Sequence, residues 1–264
     1  MKQSNVVTVL SLAGFLSLTT LGAADAENLT LGNEGTYPPF SIVGTDGSLS
    51  GIEPDIAREV CKRIGADCKM VAMDFDGLLP SLTTGKIDMI ISQLTPLPER
   101  LKATEFTIPI IFSPEGFIVP KDWDKSYDNE GLSGVRIGVY KGSSHAKYVE
   151  ERLPDATPVY FANNDQMALD LKAGRIEAVF GHKINWQLLL LDTPDGKDWK
   201  LSEDDFWATG ERKGMSWAVQ KGETELRDRI NEALASMIED CTYTKIRKTY
   251  LPTIPLLEEE SNCS

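Results

Sequence analysis

The chain has 264 residues, a formal net charge of −13 and 41% hydrophobic residues. So large an acidic excess excludes a nucleic-acid surface, whose phosphates demand cationic stripes, and argues against adhesion to anionic lipid. The length carries one large domain or two modest ones with a sizeable core.

Residues 1–26 read as a secretory signal peptide. Lys2 supplies the n-region charge, Val6 to Leu21 is largely apolar and uncharged, and Ala24-Asp25-Ala26 is an A-x-A cleavage site. Leu29-Thr30-Leu31-Gly32 then opens a strand, and Tyr37-Pro38-Pro39-Phe40 is a rigid turn. Residues 44–51 form a polar loop in which Asp46-Gly47 signals a hairpin. Pro54 suits the first turn of a helix whose Ile56, Val60 and Ile64 share one stripe before Gly65 ends it. Residues 69–73 read as a strand, 76–84 as a helix and 87–92 as the strand after it. Residues 106–112 and 116–119 are extended around Pro114. A second set begins with a strand over 135–140, followed by a helix over 146–152, a strand over 159–161, a helix over 165–173 and a strand over 176–180. Residues 183–191 read as a helix, 192–205 as surface loop, 215–219 as a strand, and 223–239 and 243–250 as helices.

One pattern occurs twice. Leu82-Thr83-Thr84-Gly85-Lys86-Ile87-Asp88 is echoed by Leu171-Lys172-Ala173-Gly174-Arg175-Ile176-Glu177, each followed by an apolar run. Each copy reads as a helix ended by a left-handed glycine, with a short buried strand next. Two such units predict an α/β chain of two similar lobes, mainly parallel in their sheets, with a ligand cleft between them. The long helix over 223–239 has no counterpart after the first unit, so the chain is expected to return to the first lobe. That assigns 27–112 and 216–264 to lobe 1 and 113–215 to lobe 2, with hinges near 112–116 and 211–216.

Four cysteines in an exported chain read as disulfides. Of the three possible pairings, Cys61–Cys68 and Cys241–Cys263 are favoured because both loops are local. No metal site is expected, since His145 and His182 are the only histidines and no C-x-x-C occurs.

Ligands of open α/β sheets bind outside the carboxyl ends of strands. Four segments lie there: Glu34 to Tyr37; Ser92-Gln93-Leu94-Thr95 with Arg100 beyond; Tyr140-Lys141-Gly142-Ser143-Ser144-His145; and Gly181-His182-Lys183. Gly142-Ser143-Ser144 at a helix start is either an anion site or a plain serine cap. Arg100 either forks onto a carboxylate or stays solvated. Tyr37 and Phe75 either flank a ligand or sit in the core. Glu34 either partners a cation or caps local N–H groups. No nucleophile–base arrangement, P-loop or G-x-G-x-x-G is present, so neither catalytic residues nor a cofactor are expected.

These residues resemble a known family. Tyr37-Pro38-Pro39-Phe40 with Gly51-Ile52-Glu53-Pro54-Asp55-Ile56-Ala57, then Pro80-Ser81-Leu82 through Gly85-Lys86-Ile87-Asp88, then Ser92-Gln93-Leu94-Thr95 ending in Glu99-Arg100, are similar to the ordered motifs of polar amino-acid solute-binding proteins. The nearest class is the histidine- and lysine/arginine/ornithine-binding proteins of ABC importers. The resemblance implies a type II periplasmic-binding-protein fold, each lobe a mixed sheet flanked by helices. It implies a periplasmic monomer that delivers an amino acid or opine to a membrane permease. Arg100 would pair with the ligand carboxylate, Thr95 and Ser144 would add hydrogen bonds, Tyr37 and Phe75 would sandwich the ligand, and Glu34 would meet a cationic tail. One departure is large: His182 stands where the family keeps an aspartate for the α-ammonium. Losing one partner of a buried charge pair costs about 2–5 kcal/mol. The change suits opines such as octopine or nopaline, whose extra carboxylate would meet His182, Lys141 or His145. The alternative is an enzyme resembling cyclohexadienyl dehydratases, with Glu34 as the acid.

Overall fold

The computed structural model describes residues 26–208 and 214–263. The expected signal segment through residue 25, and residues 211–213 of the expected second hinge, lie outside the described residues.

The first lobe is laid down by β1 (Glu27–Asn33), the short strands β2 (Thr36–Tyr37), β3 (Ser41–Val43) and β4 (Leu49–Ser50), helix α1 (Ile52–Ile64), β5 (Ala66–Ala72), α2 (Phe75–Thr83), β6 (Met89–Leu94), α3 (Pro98–Ala103) and β7 (Thr104–Ile111). The second lobe follows as β8 (Glu115–Pro120), β9 (Arg136–Tyr140), α4 (Ser144–Arg152), β10 (Thr157–Phe161), α5 (Asn164–Lys172), β11 (Ala178–His182), α6 (Lys183–Trp186) and β12 (Trp199–Leu201). The chain then returns through β13 (Met215–Gln220), α7 (Thr224–Glu239) and α8 (Thr242–Tyr250). Strand orders are β5-β1-β6-β13-β7 and β10-β9-β11-β8-β12. Strand β13 lies antiparallel between β6 and β7, and α7 packs on β7 and α1. The apolar stripe of α7, Leu226, Ile230 and Leu234, is buried there, as are Ile56 and Val60 of α1.

The repeated unit has one geometry in both lobes. Gly85 and Gly174 take φ of 71° and 68°. Ile87 and Ile176 behind them are fully buried. A Cβ on Gly32 would lie 2.6 Å from Ile87 Cδ1, and one on Gly138 would lie 2.6 Å from Ile176 Cδ1. The acid after each isoleucine bonds the neighbouring strand: Thr30 N–H donates to Asp88 and Arg136 N–H to Glu177. The glycine, isoleucine and acid of the motif therefore form a helix stop, a plug and a strand clamp.

The structure differs from expectation in four places. The strands expected over 87–92 and 176–180 run two residues later, because the isoleucine and the acid serve as plug and clamp first. The sheets are mixed, as the family resemblance implies, and not mainly parallel as the alternation of strands and helices suggested: β8 is antiparallel to β11, β12 to β8, and β13 to both neighbours. The strands that break the pattern enter their sheets without a preceding crossover helix. The helix expected over 183–191 is a single α turn continued as a π-helical turn, Gln187–Leu191. The expected loop over 192–205 contains a 3₁₀ turn and the edge strand β12. The disulfides are Cys61–Cys68 and Cys241–Cys263.

The turn at Tyr37 is held against α1 by Gly51, the residue before the helix. Its φ of 115° and ψ of −179° belong to a region open essentially to glycine alone. A Cβ there would lie 2.6 Å from Phe40 O. Gly51→Ala is expected to lower unfolding free energy by about 1–3 kcal/mol or more in urea denaturation.

Candidate functional site

The carboxyl ends of β1, β6, β9 and β11 meet in one cavity between the lobes. Its lining is Glu34, Tyr37, Phe75, Gln93, Thr95 and Arg100 from the first lobe and Tyr140, Ser143, Ser144, His145 and His182 from the second. The lobes touch across it. Thr95 and Ser144 hydroxyls lie 3.0 Å apart, Thr36 and Tyr140 hydroxyls 2.7 Å, and Tyr37 Oη is 3.1 Å from His182 Nδ1. Asn185 donates to Pro38 O at 2.9 Å. At the rim, Lys141 pairs with Asp76 at 2.7 Å, and Lys147 pairs with Glu99.

Arg100 is buried on α3 and donates to Thr95 O at 3.0 Å and Gly142 O at 2.9 Å. Among the described residues no carboxylate comes within ion-pair distance of it. Burial pushes its pKa down to about 10, so the cation pays a desolvation penalty that two neutral carbonyls do not offset.

Glu34 is the opposite case. Its carboxylate is buried after β1, accepting from Ser41 Oγ at 2.8 Å and from Ser92 Oγ. Burial raises its pKa, while the two hydroxyls act the other way. Gln93 adds an amide whose Oε1 and Nε2 are buried without a partner among the described residues, and His145 adds an unpartnered buried Nε2. Both side chains line the cavity, so their unmade bonds are available to whatever enters it. Apolar walls come from the aromatic rings: Tyr140 packs edge-on to Phe75 at 5.7 Å and to Tyr37 at 6.1 Å between centroids.

Three expected site residues do not line this cavity. Lys141 points to the rim, 62% exposed, because Asp76 draws it there. Leu94 alternates to the other face of β6 and packs with Leu78, Leu82 and Ala218. Ser92 touches Glu34. Ser143 lines the cavity and also caps α4, its Oγ accepting from Ala146 N–H at 3.2 Å.

His182 ends β11, buried and pushed down to about 4 by desolvation, hence neutral. A neutral imidazole is not the cation that was expected to meet the extra carboxylate of an opine. Beside it the structure places a residue the sequence did not single out. Glu115 begins β8 and is the register partner of His182. Its Oε1 lies 4.0 Å from His182 Nε2 and 3.9 Å from His145 Nε2. The only sequence signal for it is an acid one glycine before the apolar run Phe117-Ile118-Val119.

Residues 29–253 match the family model described as bacterial extracellular solute-binding proteins, family 3. The chain is 34% identical to ABC transporter arginine-binding protein 1 of Escherichia coli K12, over 92% of this chain and 98% of the relative. It is 35% identical to the histidine-binding periplasmic protein of the same strain, over 92% and 95%. The fold is similar to that of an ancestral arginine-binding protein bound to arginine, with a TM-score of 0.75 and 32% identity, over 84% of this chain and 97% of the other.

Removing one of the two hydroxyls on Glu34 tests the electrostatics of this end. Ser92→Ala is expected to move the Glu34 pKa further upward, read from the carboxyl carbon in an NMR titration; an unchanged value would show that Ser92 does not solvate the carboxylate.

Proposed function

The chain belongs to family 3 of the bacterial extracellular solute-binding proteins, and we propose that it is the periplasmic capture component of an ABC importer. Its ligand is a polar or cationic amino acid, or an opine built on one, held between the lobes and delivered to a membrane permease. The observation that carries this reading is Arg100, a guanidinium buried in the cleft whose partners among the described residues are two carbonyls. A ligand carboxylate supplies the charge-assisted fork this group lacks. Glu34 supplies an acceptor for a cationic tail, and Tyr37, Phe75 and Tyr140 cover the apolar stem between the two charged ends. Thr95, Ser144 and Gln93 contribute neutral hydrogen bonds. The names of the relatives, which are those of arginine- and histidine-binding transport proteins, support a binding role over the dehydratase-like alternative. We assign the two lobes to 27–112 with 216–264 and to 113–215, closing about the crossovers near 112–116 and 211–216. The export signal at residues 1–26 belongs to the same proposal, as does action as a monomer.

Two measurements test it. In a thermal-shift panel of arginine, lysine, histidine, octopine and nopaline, a true ligand at about 100 times its Kd stabilises by about 2.7 kcal/mol. No shift across the panel would refute the assignment, and decay of arogenate or prephenate absorbance on incubation would restore the enzyme. By calorimetry, Arg100→Ala is expected to weaken the responding ligand at least about 30-fold, whereas Lys141→Ala, which removes an exposed ion pair, changes affinity less than about fivefold.

A further inference from the structure

We propose that Glu115, His145 and His182 form a tripod of acceptors for the primary ammonium group of the ligand, a step that rests on the amino-acid reading above. All three stand on the second lobe, where His145 and His182 line the cavity and Glu115 lies beside them outside the lining. Glu115 and His182 face each other across the β8–β11 ladder, and His145 is in the first turn of α4.

One potential ligating atom from each lies within 4.8 Å of the others. The Glu115 Oε1 distances of 3.9 and 4.0 Å to the two Nε2 atoms are too long for hydrogen bonds, so the three groups do not satisfy one another. In two of them the other atom is engaged elsewhere. His182 Nδ1 meets Tyr37 Oη at 3.1 Å, and Glu115 Oε2 accepts from Ala208 N–H at 3.2 Å. With the His182 proton on Nδ1, donated to the tyrosine oxygen, its Nε2 lone pair is left for an incoming donor. His145 Nε2 is buried and unpartnered.

Two geometries bracket the cluster. An ammonium making three bonds of about 2.9 Å spreads its acceptors about 4.7 Å apart, whereas tetrahedral zinc at about 2.0–2.1 Å draws its ligands to about 3.4 Å. The gaps of 3.9 and 4.0 Å lie between the two, so the choice of an ammonium rests on the amino-acid reading. The charges suit a cation. Burial holds His182 at about 4 and His145 well below its ordinary value, so both are neutral acceptors. Burial also lifts Glu115 to about 7, and a cation in the tripod would hold it ionised. One carboxylate then faces one ammonium. The acid missing at position 182 stands one strand away.

The tripod discriminates between ligands. A primary ammonium carries three N–H donors, one for each acceptor. The secondary ammonium of an opine carries two, with a substituent in place of the third. Free amino acids are therefore preferred over their N-carboxyalkyl derivatives.

Calorimetry with L-arginine, L-histidine, octopine and 5-guanidinopentanoate, which is arginine without its amino group, tests this. The wild type is expected to bind arginine or histidine more tightly than octopine. Glu115→Gln is expected to weaken that free amino acid at least about 30-fold while leaving 5-guanidinopentanoate unchanged. His145→Asn should weaken the amino acid in the same selective way, and adding His182→Asp to Glu115→Gln should restore part of the loss. Urea denaturation of each variant without ligand checks that the fold is intact. Equal binding of the amino acid by Glu115→Gln, or tighter binding of octopine than of arginine, would overturn the tripod. So would retention of one equivalent of zinc by the dialysed wild type, with amino-acid binding lost on chelation. If Arg100→Ala abolishes binding and Glu115→Gln does not, the importer reading stands and the tripod alone falls. If the wild type binds none of these ligands, both fall.

Discussion

A guanidinium withdrawn from water is the constraint around which the cleft is arranged. Arg100 is fixed by its own α3 turn through Thr95 O and by the opposite lobe through Gly142 O. Carbonyl dipoles orient it and leave its charge uncompensated, so the protein keeps an electrostatic demand that only an anion meets. Glu34 makes the complementary demand, a buried carboxylate solvated by two serines instead of a cation. Arg100 would not be kept this way for stability alone, since a buried charge without a counter-charge is destabilising. The coexistence of the two groups in one cavity describes a ligand that carries both signs.

The repeated αβ unit explains how those charges arrive at the same place. In each lobe a glycine stops the helix, an isoleucine fills the space left by a glycine on the first strand, and an acid clamps that strand's backbone. The clamp sets where β6 and β11 begin, and with it which residues their carboxyl ends present. Strand β6 presents Gln93, with Thr95 just beyond, while β11 presents His182. The same scaffold thus delivers hydrogen-bond donors and acceptors from one lobe and an imidazole from the other.

This division also accounts for what could be read from the sequence. The helix stops, the periodic faces of α1 and α7 and the local disulfides are written in neighbouring residues, so they were legible. So were Glu34, Tyr37, Phe75, Thr95, Arg100 and Ser144 as candidates, because each follows a strand end or a motif. Leu94 was misplaced because the strand expected to end at 92 runs on to 94, so Leu94 obeys the alternation of its faces and packs into the core. Lys141 was misplaced because its direction is set by Asp76 on the other lobe. Glu115 was invisible for a different reason. Its proximity to His182 comes from the antiparallel register of β8 and β11, strands far apart in the chain. With only the near half of that pair legible, His182 read as a cationic replacement for an acid; beside Glu115 it is a neutral residue in front of one.

Closure follows from the same accounting. The rim pairs Lys141–Asp76 and Lys147–Glu99 are largely exposed, and such pairs contribute about 0–1 kcal/mol each. The Thr95–Ser144 and Thr36–Tyr140 contacts exchange water for hydroxyl partners and add about 0.5–1.5 kcal/mol apiece at best. Against them stands the burial of Arg100 and Glu34 in the cavity between the lobes. On the proposed reading, a ligand that neutralises those groups would bind a closed form better than an open one, and that difference in affinity would drive closure. Selectivity and motion would then be one property: a solute that left Arg100 or Glu34 uncompensated would fit poorly and also fail to close the lobes around itself.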